Sequence, residues 1–253
     1  MSEQRTEPAS LDAAPAASAA ARPPVPPGTQ PVTRMRRWGG AAGIAGPILL
    51  VIYFATPALV GWPYAGATPD HLIAFATGHA LLFYAGGWLQ VTGALLSVLF
   101  FLVLLQLSGA RDRLAGAATL TGAALLLAVV TIEAALLEAV PMAAAAGDRA
   151  TVATTFALSN GVFARIFPLA PAPLLFAGIG MALRGAAVLR PVFSRSALIV
   201  AGLFVLAGVT AVFGTPGLIF AIAMSVVEAI WIAIAAIALV RSSSARTGAP
   251  PSA

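Results

Sequence analysis

Residues 216–240 read PGLIFAIAMSVVEAIWIAIAAIALV, and Arg241 closes the run. Glu228 is its one ionisable side chain. An α-helix rises about 1.5 Å per residue, so about 20 apolar residues cross a hydrocarbon core of ~30 Å. The stretch is apolar on every face, whereas a helix on the surface of a soluble protein shows a polar one. It therefore predicts a transmembrane helix, whose backbone groups are satisfied within the segment as lipid demands.

Working outward, five more runs of the same kind precede it. They cover Gly39 to Val60, about Leu81 to Ser108, Leu114 to Val140 (ended by Pro141), about Phe163 to Leu183, and Ser196 to Phe213. Composition agrees with six crossings. Only 9% of the chain is charged, against about 25% in soluble domains, and 60% is hydrophobic, too much for water to be the main solvent. The expected fold is an all-α polytopic membrane bundle of six transmembrane helices, and the lipid bilayer is its expected partner.

All the basic charge is arginine, and it alternates along the chain. Arg34, Arg36, Arg37, Arg111, Arg113, Arg184, Arg190, Arg195, Arg241 and Arg246 flank one set of helix ends, while only Arg149 and Arg165 flank the other. The positive-inside rule then predicts cytoplasmic N- and C-termini in a plasma membrane. Singly placed arginines beside apolar runs are topology signals rather than a nucleic-acid patch, so no nucleic-acid partner is expected. Residues 1–33, rich in Ala, Pro and Ser, read as a disordered cytoplasmic tail, residues 34–241 as the membrane domain, and 242–253 as a second tail. No secretory signal is read at the start: acidic Glu3, Glu7 and Asp12 stand there and no short apolar core follows.

The two longer outer connections, Gly61 to Ala80 and Pro141 to Val162, each carry a helix-start signal, Thr68-Pro69-Asp70 in one and Asp148 in the other. Both are expected to form short interfacial helices on the outer leaflet, or extensions of the helices that follow. Leu72, Phe75, Ala76 and Leu82 can share one face of the first, and the second carries Val152, Phe156 and Leu158.

Few residues inside the spans can carry chemistry. An ionisable group at the centre of a membrane helix costs about 2.5–3.5 kcal/mol on insertion scales. Glu228, mid-span, and Glu133, about two turns from the outer end of the third helix, are the candidate ion, proton or solute site, with Arg165 at the outer start of the fourth helix as a possible third member. An ionised Glu228 without a cation would be too costly, so it is expected to face the bundle interior, neutral unless a cation reaches it. Arg165 is expected at the depth of Glu133 and Glu138, where an ion pair could form. Glu133 and Glu138 are five residues apart, hence on different faces. Pro168, Pro171 and Pro173 predict a kink in the fourth helix, freeing the carbonyls of Ala164, Phe167 and Leu169. Gln90, Thr92 and Gln106 read as interhelical hydrogen bonders, and Gly39-x-x-x-Gly43 as a small-residue packing pattern. His71 and His79 are eight apart with no Cys, Asp or Glu to complete a set, so no metal and no cofactor is expected. The glycine-loop and Gly-x-Ser-x-Gly signatures are missing, and no catalytic residue is assigned.

The segment Phe163 to Leu183, Arg190-Pro191 and the closing Glu228-Ala229-Ile230-Trp231 resemble a group of six-helix bacterial membrane proteins catalogued as a domain of unknown function. The resemblance spans residues 39–241 in layout. It implies the six-helix fold and brings no activity. The lysine-free, Ala- and Arg-rich style is that of a high-GC bacterium. Taken together, the sequence reads as a non-enzymatic membrane protein with a structural, sensing or partner-binding role. The alternative is a small permease or proton- or cation-coupled transporter that uses its intramembrane carboxylates.

Overall fold

Six helices long and apolar enough to cross a membrane run Val32–Val60, Ala80–Ser108, Leu114–Ala145, Arg149–Ala182, Pro191–Phe213 and Pro216–Ser242, with mean hydropathies between 1.7 and 2.4. They belong to a computed structural model that describes residues 30–64 and 66–247, among which there is no strand. In chain order the helices are α1 (Gln30–Val60), α2 (Pro69–Gly78), α3 (Ala80–Ser108), α4 (Leu114–Ala145), α5 (Arg149–Gly161), α6 (Phe167–Leu169), α7 (Pro171–Ala182), α8 (Pro191–Thr210) and α9 (Thr215–Thr247). A π-turn, Val162–Ile166, joins α5 to α6. The protein is an all-α, multi-pass membrane bundle.

The helix ends depart from the sequence reading. Residues 30–33, read as the end of a disordered tail, open α1, and residues 242–247, read as the second tail, continue α9. The remainder of both tails lies outside the described residues. Arg36 gives the physical reason for order at these ends: its guanidinium donates to Ser242 Oγ at 3.2 Å and couples the start of α1 to the end of α9.

Packing places α1 against α3 and α9, α4 against α3 and α7, and α8 against α7 and α9. Lipid gives helices no hydrophobic reason to associate, so close van der Waals fit must do it, and small residues permit that fit. A methyl group on Gly43 would stand 2.6 Å from the Phe100 ring, and one on Gly46 would stand 2.8 Å from the carbonyl oxygen of Gly93. Gly178 presses likewise on the backbone of Thr119, joining α7 to α4. The core is aromatic. Phe101 stacks on Trp231 with centroids 6.0 Å apart, and Phe176 meets both rings edge-on. Trp231 Nε1 is satisfied by Ser196 Oγ at 2.9 Å.

The helices of the two longer connections, α2 and α5, behave differently from each other. Thr68 caps α2, accepting from the His71 amide at 3.4 Å, and His79 breaks the chain before α3. Leu72, Phe75 and Ala76 are buried, as the shared face predicts, while Leu82 is half-buried. That face packs on α4 and α5, so α2 lies against protein and not only on a leaflet. Arg149 at the start of α5 holds Asp70 at 2.5 Å. The second outer helix, α5, extends the fourth span. Val152 and Phe156 point inward there, and Leu158 points outward.

Candidate functional site

Glu133 is 3% exposed, on the face of α4 that meets α1 and α5. Tyr53 of α1 donates to its Oε1 at 3.3 Å, and Ser159 of α5 donates to the same atom at 3.0 Å. The other oxygen, Oε2, is buried with no hydrogen-bonding partner. A carboxyl with two donors on one oxygen keeps acceptor capacity on the other.

Glu228, 5% exposed in the middle of α9, faces the bundle interior as expected. It and Glu133 line one small cavity of about 30 Å³, room for about two waters. Leu50 and Phe54 of α1, Gln90, Ser97 and Phe101 of α3, Phe163 of the π-turn and Ser225 of α9 complete its wall. Among the described residues, Gln90 Oε1 is the second buried side-chain oxygen without a partner.

Glu133 also lines a second, larger cavity of about 300 Å³ at the arginine-poor end of the bundle. Thr56, Trp62 and Tyr64 at the end of α1 and just beyond it, Ser159 and Asn160 of α5, and Leu218 near the start of α9 are among its walls. Tyr53, Phe54 and Phe163 line it as well, so Phe54, Glu133 and Phe163 border both vestibule and inner cavity. That volume suits a small solute.

Arg165 does not join the site. It is exposed, and the one ion pair among the described residues is Asp70 with Arg149. The helical path explains the departure: Phe163 lines the cavity, and two residues on, on roughly the opposite side of the turn, Arg165 faces outward. Glu138 lies instead against Gly87 of α3, away from Glu133, in keeping with the five-residue spacing. The proline segment departs from regular helix. Ala170 leaves helical geometry at φ −129° and ψ −59° between Pro168 and Pro171, and the π-turn comes just before, with the Phe167 amide reaching back to the carbonyl of Val162. This bend lets α5 turn Ser159 toward Glu133 while α7 packs on α4.

The sequence reading makes Gln90, Thr92 and Gln106 interhelical hydrogen bonders. Among the described residues none makes such a bond: Gln90 faces the inner cavity and Gln106 is exposed. His79 Nδ1 pairs with the carbonyl of Phe75 at 3.0 Å, and its ring stacks on Phe75. Among the described residues no group of three or more His, Cys, Asp or Glu gathers at metal-binding distance. Tyr53, Ser159, Ser97 and Ser225 were not singled out in the sequence. Their signal was there, a hydroxyl inside an apolar run, but such hydroxyls commonly bond their own helix. No known protein family, curated protein or solved structure matches the chain.

Proposed function

We propose that this protein is a non-enzymatic permease of a bacterial plasma membrane that moves a small solute in exchange for, or together with, a proton or cation. One observation carries the reading. Glu133 borders both the vestibule and the inner cavity, and the inner cavity reaches Glu228. A solute in the vestibule would meet Glu133 directly, and charge taken up or released at the two carboxylates would be felt by that solute. The kinked fourth span suits this role, since broken helices accompany transport sites. The arginine distribution supports cytoplasmic termini and hence a vestibule facing outward.

A structural or sensing role is the second reading. It is favoured by the bonds from Tyr53 and Ser159, which tie α1, α4 and α5 together through one carboxyl.

The deciding experiment is a thermal-shift screen of small solutes on the purified full chain, followed by uptake of radiolabelled hits into proteoliposomes. Wild type should accumulate a stabilising solute under an inward proton or sodium gradient, and Glu228→Gln should lose the gradient dependence. Uptake no greater than in protein-free vesicles, for every stabilising solute, would leave the structural reading standing.

A further inference from the structure

We infer that Gln90, Glu133 and Glu228, with the hydroxyls of Ser97 and Ser225, form a binding site for one largely dehydrated Na⁺ ion. This rests on the permease reading and names its coupling ion.

The argument begins with hydrogen-bond direction. Ser97 Oγ donates to the Gly93 carbonyl at 2.8 Å and Ser225 Oγ to the Ala221 carbonyl at 3.0 Å, so each presents only lone pairs to the cavity. Tyr53 and Ser159 spend their donors on Glu133 Oε1 and leave Oε2 bare. Gln90 Oε1 is equally bare, on a residue 3% exposed. Among the described residues no group donates to the Glu228 carboxyl, and no arginine lines the cavity. Five side chains that carry oxygen atoms, from α3, α4 and α9, thus line one small space.

Buried acceptors without donors are costly, and a cation is one partner that can satisfy them. Carboxylate, amide carbonyl and hydroxyl oxygens are hard ligands, suited to alkali and alkaline-earth ions. The space of about 30 Å³ selects among them. Mg²⁺ gives up its waters reluctantly and Ca²⁺ takes about 6–8 oxygens, so neither suits so small a set. A single Na⁺, with one water at most, fits the space and offsets the negative charge at membrane depth. The way in is the vestibule, through Glu133.

The test is equilibrium binding of ²²Na⁺ to the detergent-solubilised full chain, with melting temperatures in NaCl, KCl, CaCl₂ and choline chloride at equal ionic strength. The expected result is saturable binding of about one Na⁺ per chain and a Na⁺-specific rise in melting temperature of about several degrees. Gln90→Met, close in shape, should weaken binding at least tenfold, Glu228→Gln should abolish it, and Gln106→Met on the same helix should change nothing. No saturable ²²Na⁺ binding to wild type, equal affinity in Gln90→Met, or tighter Ca²⁺ than Na⁺ binding would each overturn the assignment. Should Gln90→Met fail to fold, wild-type binding and its ion order decide alone. Gradient-driven uptake without Na⁺ binding removes this site and keeps the permease. Na⁺ binding without any solute uptake does the reverse.

Discussion

Ser159 of α5 donates a hydrogen bond to Glu133 of α4 at 3.0 Å, deep between helices that reach that point from opposite directions. With Tyr53 it holds one oxygen of the carboxyl, while the other is buried without a partner among the described residues. We predict that Ser159→Ala lowers stability by about 1 kcal/mol, the usual worth of an interhelical hydrogen bond in a membrane. Denaturant unfolding of the solubilised protein measures it. A loss below ~0.2 kcal/mol would mean that the carboxyl is held by other contacts.

Glycine placement predicts a contrast between two alanine substitutions. A methyl group on Gly178 would stand 2.5 Å from the Thr119 amide nitrogen, whereas one on Gly202 of α8 meets nothing within 4 Å. Gly178→Ala must push α7 off α4 and should cost about 1–3 kcal/mol. Gly202→Ala should be neutral or stabilising by up to about 1 kcal/mol through helix propensity. Equal melting temperatures for the two variants would contradict the packing described for α4 and α7.

Asp148 predicts a pH dependence at the start of α5. Its carboxylate accepts from the Thr151 hydroxyl at 2.6 Å and from the Thr151 amide at 3.0 Å, and these bonds hold its pKa below the usual carboxylate value, the hydroxyl bond most strongly. A lowered folded pKa means that the cap is at full strength above the ordinary carboxylate range. It is lost as pH falls through the folded value. Hydrogen exchange at the Thr151 amide should therefore rise, relative to the intrinsic rate, as the solution is acidified. In Asp148→Asn, which can still cap, that ratio should be flat with pH. A wild-type ratio that is also flat would remove the carboxylate from the cap.

The arginine pattern predicts orientation. Reporter fusions after Ser108, Leu183 and Val240 should read cytoplasmic, and a fusion after Ala145 should read external. An external reading after Val240 would invert the bundle and turn the vestibule toward the cytoplasm.

The sequence by itself determined the crossings, because span length and hydropathy are properties along one dimension and each helix satisfies its own backbone. It also determined that Glu228 turns inward, since lipid leaves a mid-span carboxyl no tolerable alternative. The rotation of each helix about its own axis was decided only by tertiary packing. Gly43 and Gly46 set how α1 seats on α3, and the π-turn and the break at Ala170 set which way the fourth span faces. That rotation brought Tyr53, Ser159 and Gln90 to Glu133 and its cavity and carried Arg165 out of it. A side chain's depth is written in its position along the run, but its partner across the bundle depends on contacts between distant segments, which hydropathy does not encode.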